Sequence, residues 1–564
     1  MLMNSLKPAQ LQRRGARSSQ CATCGRQSRK LQCKPSALSG SHLLNDQCNV
    51  KRLGRTPSTR ISAAAVDAPP APGARDLEQQ QGDCNSFAWT KSWYPVFALE
   101  SLHPKLPQHV DLLGLKLVVW ADSKGTWHCL EDRCPHRLAP LSEGRVEGDT
   151  LMCCYHGWTF DAGGACTRIP QLSDAKAAAT ACASPKACVT AYPCRAQDGL
   201  LWIWPEPTAK SAAIAQATPV PGLPSTTQFT PWFVRDLPVR FDTLMENVMD
   251  PSHLPYAHHG ILGNRNRPRT KIDSVNVDAQ PTGFVYTRSL TMRDKPVTFS
   301  LSYAAPVSVR YYMQQERPNL ALMVTPTRPG WSRLFITQPT DFSQLPLWVR
   351  LVLQLRNASV ALRHAMDTNA VLDGDTYTLH LGERALPLSV GIGDAYIRSC
   401  YMPAPDDSPV IAWRRWLGRH GGGALPTCSP ADAAAMPPAM AKRDALDRGG
   451  QHLVHCKHCQ GAVKQVDVAS AVAAAVGVVA LFTAVAKVVA VAGAPSAVEA
   501  ASTAAPAALA TALQGVLAQP GLVQAAGVAL AAAAVWVGLQ RFRAKFFYED
   551  YVHAFRDGRM VTKS

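Results

Sequence analysis

The chain has 564 residues and a mass of 60.9 kDa, which excludes one small domain and suggests roughly three to five folding units of ~150 residues each. Apolar residues at 47% and charged residues at 18% exclude a disordered or collagen-like chain. The formal charge of +17 invites an anionic partner, but residues 1–65 hold 12 basic side chains against the single acid Asp46, and only +6 is left for the rest; no nucleic acid is expected as partner.

In chain order, the basic, Ser-rich, acid-poor segment 1–65 has the composition of an organelle transit peptide, with small residues after Arg60 suited to a processing cut. It carries no aromatic residue among its charges that could stack on bases. Residues 66–89, with Pro69, Pro70 and Pro72, read as a stiff linker. From 90 to 205, short β-like runs such as Lys116–Trp120 and Leu200–Trp204 alternate with Gly, Pro and Asp turns, the pattern of a small all-β domain. An Ala/Pro-rich stretch then leads to an α+β segment over 225–395, in which Trp348–Leu372 is expected as one long helix. Residues 396–465 are polar and end in a second cysteine pair.

The tail changes character. Val468–Ala486 and Gly521–Leu539 are each 19 residues without a charge, close to the ~20 that cross a bilayer. Their joining stretch Gly493–Pro520 holds no Lys or Arg, whereas Arg541, Arg543 and Lys545 follow the second run. That bias predicts a transmembrane helical hairpin over 466–545 with both ends on the side of the main domains, and 546–564 as a tail on that side. The competing reading is a buried soluble hairpin, because both runs are mostly Ala and Val.

Of 17 cysteines, spacing singles out two clusters. Cys134-Pro135-His136 is followed after sixteen residues by Cys153-Cys154-Tyr155-His156, the pattern of a Rieske centre, in which two thiolates hold one iron of a 2Fe-2S cluster and two imidazoles the other. Zinc could use the same donor types. Cys153 provides the CxxH spacing, so Cys154 is expected to be a bystander. Downstream, Asn247-Val-Met-Asp250-Pro-Ser-His253 and His258 offer two imidazoles; five residues apart on an ideal helix they point ~140° from each other, a mismatch that Pro255 can relieve. One carboxylate would complete a facial triad for iron(II), with Asp375 the better candidate at the end of the predicted helix and Asp373 the alternative. His259 is expected to be structural or to line a pocket. Cys456-Lys457-His458-Cys459, flanked by His452 and His455, can be a redox pair, half a metal site or two free thiols; the nearby cations favour a redox pair under thioredoxin control. Cys84, Cys129, Cys166, Cys182, Cys188, Cys194, Cys400 and Cys428 are expected as buried small hydrophobes.

This order of motifs resembles that of Rieske non-haem iron oxygenases. Trp93-Tyr94-Pro95-Val96, Cys134-Pro-His-Arg-Leu-Ala-Pro-Leu-Ser-Glu-Gly144, Arg168-Ile-Pro-Gln171, Phe241-Asp-Thr-Leu-Met-Glu-Asn-Val248, Asp373-Gly-Asp375 and the tail with Asp550-Tyr551-Val552-His553 are similar to the pheophorbide a oxygenase group of chloroplasts. That group includes the inner-envelope translocon Rieske protein and protochlorophyllide-related oxygenases. The resemblance implies an all-β Rieske domain, an α+β helix-grip-type domain for mononuclear iron, and a C-terminal transmembrane hairpin. It implies a 2Fe-2S cluster on Cys134, His136, Cys153 and His156, non-haem Fe(II) on His253, His258 and Asp375, and Asp250 as a catalytic bridge between subunits of a homotrimer. It further implies reduced ferredoxin and O2 as co-substrates, a stroma-facing head on a thylakoid or inner-envelope membrane, and a chlorophyll-derived tetrapyrrole as substrate, with ring opening of pheophorbide a foremost. Hydroxylation of a chlorophyllide, protochlorophyllide or phyllobilin, or a redox-sensing subunit of the import machinery, are the alternatives.

Overall fold

Short β-branched and aromatic runs separated by tight turns build the first half of the chain. A computed structural model describes residues 87–553 apart from 225–228, 267–271, 293–294, 314–317, 339–346, 349, 352–358, 386–391, 424–435 and 493–505. The transit segment, nearly all of the linker, part of the predicted helix Trp348–Leu372, much of the joining stretch, the end of the tail, Cys84 and Cys428 lie outside the described residues.

Eleven strands between Tyr94 and Ile203 form three antiparallel sheets. β1 (Tyr94–Ala98), β11 (Leu200–Ile203) and β10 (Cys194–Gln197) make one; β2 (Gln108–Leu112), β3 (Leu115–Ala121), β4 (Trp127–Glu131) and β9 (Ala191–Tyr192) make the second. The third is small and holds β5 (Arg145–Glu147), β6 (Thr150–Met152), β7 (Thr159–Phe160) and β8 (Cys166–Arg168). Asp198 and Gly199 both take positive φ, 52° and 75°, which is the twist-matched two-residue turn that joins β10 to β11.

The second half is a seven-stranded antiparallel sheet in the order β12-β18-β17-β16-β15-β14-β13. Its strands are β12 (Phe233–Leu237), β13 (Ile272–Gln280), β14 (Gly283–Met292), β15 (Lys295–Ala304), β16 (Ser308–Met313), β17 (Leu320–Pro326) and β18 (Ser332–Thr337). Alternate residues of the central strands pack on the amphipathic helices Phe241–Met249 and Ser408–Arg419, where Tyr303 meets Trp413 and Trp416 edge to face. The two halves share one core: Trp202 and Trp204 of the β domain pack in the same cluster as Val307, Met323 and Phe335 of the large sheet. Arg333 donates to the Val96 carbonyl (2.6 Å) and Thr325 to that of Pro95 (2.7 Å) across the seam. Each large apolar side chain buried there contributes ~1.5–3 kcal/mol, so the two halves are held as one unit. Phe87 and Trp89, at the end of the expected linker, pack on Trp416.

The helix expected over Trp348–Leu372 differs from the observed one. Trp348 and Leu351 are helical; then Ser359 caps a new start by accepting from the Leu362 N–H (3.2 Å). From there Val360–Arg363 continues through a π-helical turn, His364–Thr368, into Asn369–Ala385. Asp375 therefore lies inside a helix, not at its end. Gly374 is a helical residue that admits neighbours: a Cβ would sit 3.0 Å from the Tyr551 ring and 3.1 Å from His258 Nδ1.

Lys457–Ala492 and Leu522–Ala544 are long and apolar enough to cross a membrane. They run antiparallel, with Asp467 paired to Arg543 (2.5 Å) at one end and Lys487 donating to the Pro520 carbonyl (2.7 Å) at the other. Their large side chains face outward, Phe482 71% and Leu530 73% exposed, which disfavours a buried soluble hairpin.

Candidate metal centres

The two Cys/His loops are built alike. Cys134–Leu138 links β4 to the small sheet, and Cys153–Gly157 links β6 to β7. In each, the cysteine carbonyl accepts the N–H four residues on, Leu138 (2.8 Å) and Gly157 (3.1 Å). Both residues have positive φ, 60° and 72°, a strained state for leucine. Cys134 and Cys153 are buried, whereas Cys154 is exposed, so Cys153 faces its partner. Burial pushes the Cys134 thiol up to about 11. His136 and His156 lie 4.4 Å apart between ring centroids, and His136 stacks on Trp158 at 4.8 Å. Gln171 holds this wall, accepting from Trp158 Nε1 (3.2 Å) and donating to the His156 carbonyl (2.8 Å). Sulfurs thus gather inside and imidazoles at the rim, His156 Nδ1 being buried without a hydrogen-bond partner. The donor set fits a cluster with one iron on thiolates and one on imidazoles.

In the second half, Phe241–Met249 buries Phe241, Leu244, Met245, Val248 and Met249 and ends at Asp250. The next helix is the single turn Leu254–Ala257. His253 precedes that turn and His258 leaves it at φ −112°, ψ 33°, so the 140° divergence of a continuous helix never arises; the rings sit 5.1 Å apart. Asp375 Oδ2 lies 3.1 Å from His258 Nε2 and 3.8 Å from His253 Nε2. One donor atom from each residue falls within 4.8 Å of the others, and both His258 nitrogens are buried without hydrogen-bond partners. Three such donors fit one face of an iron(II) coordination sphere. Asp250 Oδ2 lies 3.4 Å from His253 Nδ1, and its other oxygen accepts the Ser252 N–H (2.6 Å). Burial works against the Asp250 charge, but His253 and Ser252 outweigh it and hold the carboxyl below its usual range.

Asp373, the alternative third ligand, is engaged elsewhere. It is buried between Arg235 (2.7 Å) and Arg448 (2.6 Å), and Arg448 also reaches Glu549 (3.1 Å). The chain beyond the second apolar helix thus returns to the site, where the Tyr551 hydroxyl donates to the Ala257 carbonyl (2.5 Å). His259 is buried and accepts the Arg265 N–H at Nδ1 (3.2 Å), a structural role.

Cys456 and Cys459 are both buried and stand with His364 and His452. Among the other described cysteines, Cys129 and Cys166 are buried as expected, Cys182, Cys194 and Cys400 only partly, and Cys188 is exposed; its place after the Pro185–Ala187 turn leaves nothing to cover it. Tyr551, Gly374, Arg448 and His364 were not singled out by spacing. Gly374 had the one local signal, a glycine in a run with helical neighbours; the others act over long sequence separations.

Residues 92–192 match the Rieske [2Fe-2S] domain, and residues 238–418 match the vanillate O-demethylase oxygenase C-terminal domain. A chloroplastic pheophorbide a oxygenase of Oryza sativa subsp. japonica is 34% identical over 444 residues, covering 72% of this chain and 79% of that one. Flavonoid 8-hydroxylase 2 of Ocimum basilicum is 30% identical over 412 residues (68% and 75%). Protochlorophyllide-dependent translocon component 52 of Arabidopsis thaliana is 30% identical over 466 residues (72% and 78%).

Proposed function

The chain belongs to the Rieske non-haem iron oxygenases of the pheophorbide a oxygenase group, and on that premise we propose that it oxygenates a chlorophyll-derived tetrapyrrole, ring opening of pheophorbide a being the first choice. Its cofactors are a Rieske 2Fe-2S cluster and a mononuclear non-haem iron. The cluster supplies single electrons and the iron activates O2.

One observation carries the reading: the donors of His253, His258 and Asp375 converge within 4.8 Å in a chain that also holds the two Cys/His loops. An electron carrier of an import apparatus has no use for such a triad. In this reading Cys134, His136, Cys153 and His156 hold the cluster and the triad holds the iron. Asp250 stands 3.4 Å from His253 Nδ1 as an ion-pair contact, placed to favour the tautomer that ligates through Nε2. The Ser252 N–H keeps Asp250 in that position, while Gly374 and Tyr551 set how closely the Asp375 helix approaches His258.

His136 is exposed beside Leu138 and Tyr155, 64% and 60% exposed, and Asp250 also reaches the surface. These exposed edges support a homotrimer in which one subunit's Rieske rim meets its neighbour's Asp250, with reduced ferredoxin as donor. The outward-facing apolar helices support a membrane hairpin, the relatives' chloroplastic names support a chloroplast location, and Arg541, Arg543 and Lys545 after the second helix support a head on the stromal side.

The reading is tested on anaerobically purified full chain given reduced ferredoxin, 18O-labelled O2 and, separately, pheophorbide a, chlorophyllide a, protochlorophyllide a, a phyllobilin and a flavone. Labelled oxygen is expected in a tetrapyrrole product, and Asp375→Ala is expected to lower its yield by more than ~100-fold with the Rieske EPR signal intact. Label found only in the flavone, or undiminished turnover in Asp375→Ala, overturns it.

A further inference from the structure

We propose that His364, His452, Cys456 and Cys459 form a closed structural zinc site that fastens the foot of the first apolar helix to the helix bearing Asp375. All four residues are buried, and one donor atom from each lies within 4.8 Å of the others. His452 Nε2 is 3.3 Å from Cys459 Sγ, and His364 Nδ1 is 3.5 Å from Cys456 Sγ and 3.7 Å from Cys459 Sγ. A tetrahedral ion with sulfur at ~2.3 Å and nitrogen at ~2.05 Å has sulfur-to-nitrogen edges of ~3.6 Å. The three separations cluster at that edge length.

The surroundings orient the donors. His452 Nδ1–H donates to the Val234 carbonyl (2.7 Å), which leaves the Nε2 lone pair facing the sulfurs, the usual support of a ligating imidazole. Phe233 stacks on His452 at 4.2 Å and meets His364 edge-on at 4.9 Å, so neither ring can swing away. The Cys459 N–H points at Cys456 Sγ (3.4 Å), a contact that favours thiolate. Ala361, Ala365 and Phe546 pack around the thiols; with four protein donors and an apolar wall, no coordination position is left for water or substrate.

A second 2Fe-2S cluster does not fit. Such a cluster separates its thiolates from its imidazoles onto two irons, whereas His364 Nδ1 is within 3.7 Å of both sulfurs. Two thiolates and two imidazoles converging on one point suit zinc. Binding one Zn2+ displaces the two thiol protons to solvent and changes no oxidation state.

The placement defines the purpose. His364 opens the π turn that leads into Asn369–Ala385, His452 leans on β12, and Cys456 directly precedes Lys457–Ala492. One ion therefore joins the Asp375 helix, the large sheet and the membrane-directed helix, segments far apart in sequence.

The test uses the full chain purified without chelators. Elemental analysis is expected to find about one zinc per chain besides iron, and zinc-edge X-ray absorption to find two sulfurs at ~2.3 Å and two nitrogens at ~2.0–2.1 Å. The Cys456→Ser, Cys459→Ser double variant and His452→Ala are expected to lose the zinc and keep the Rieske EPR signal. Since these variants can misfold, the absorption measurement on the unaltered chain decides independently. A Cys456–Cys459 disulfide in the purified chain, iron in place of zinc, a zinc shell without sulfur, or variants that retain zinc would each overturn the proposal.

Discussion

Among the described residues, two sets of two cysteines and two histidines use the same donors to opposite ends. The first, within residues 134–156, sits on two matching loops of a small sheet, with its sulfurs inside and His136 at the surface. The second, His364, His452, Cys456 and Cys459, is buried throughout and gathers at one point. Loops that splay their donors leave an exposed imidazole edge where electrons can enter and leave. Donors that converge in a packed interior make a fastening. The type of residue sets which metals are possible; the spread of the donor atoms and their exposure set what the metal is for.

The largest perturbation that separates the two sets is Asp373→Ala. It leaves Arg235 and Arg448 buried without their shared carboxylate, which costs roughly 3–5 kcal/mol. Arg235 also holds Asn369, and Arg448 the carbonyl of Ala365 next to His364. The variant is expected to melt well below the parent and to lose zinc and mononuclear iron, while the Rieske EPR signal persists at temperatures below that transition. An unchanged melting temperature would show that the two arginines do not depend on Asp373.

A smaller effect, on the other set, is expected from Gly157→Ala. The residue has φ 72° and a Cβ would lie 3.2 Å from Pro170 Cγ, so alanine costs about 1–2 kcal/mol in backbone strain. Reduced 2Fe-2S occupancy by EPR, with zinc content unaltered, is the expected pattern; a full-strength signal would mean that the loop relaxes without cost.

The smallest concerns the support beneath the first loop. His109 Nδ1 pairs with Asp132 (2.7 Å), whose other oxygen accepts the Ser142 N–H (2.7 Å). Hydrogen bonds to Asp111 and then Asp132 raise His109 from 6.5 to about 9. A folded pKa above the unfolded one stabilises fully below the unfolded value and is lost as pH rises through the folded value. The side chain is 41% exposed, so solvent screening keeps the contribution below ~1 kcal/mol. The melting-temperature gap between parent and His109→Ala should therefore narrow between about pH 6 and about pH 9.5; an equal gap at both ends would assign the effect to packing.

Much of the first half was readable because its chemistry is local. Cys134, His136, Cys153 and His156 lie on loops of a few residues, where spacing dictates geometry, and the alternating runs around them specify strands. The His253/His258 pair was readable as a pair, but not its geometry: the spacing suggested a helix needing distortion, and the chain instead confines the helix to Leu254–Ala257. Asp375 was preferred over Asp373 for its place at the end of the predicted helix, a reason that does not separate them. Two residues apart on one helix, they point ~200° from each other, one toward the histidines and one toward the arginines, and only the partners reveal which is which.

Readable from the residues alone are the elements whose information is contained in a few consecutive positions: the two Cys/His loops, the strand-rich first half, the two long uncharged runs and the charge bias that follows them. Tertiary structure decided the rest. It brought His364 and His452 to Cys456 and Cys459, returned Tyr551 to the Ala257 carbonyl, and seated Asp373 between two arginines. These contacts join residues far apart in the chain, so their cause is the packing of helices on the large sheet, which no local pattern encodes.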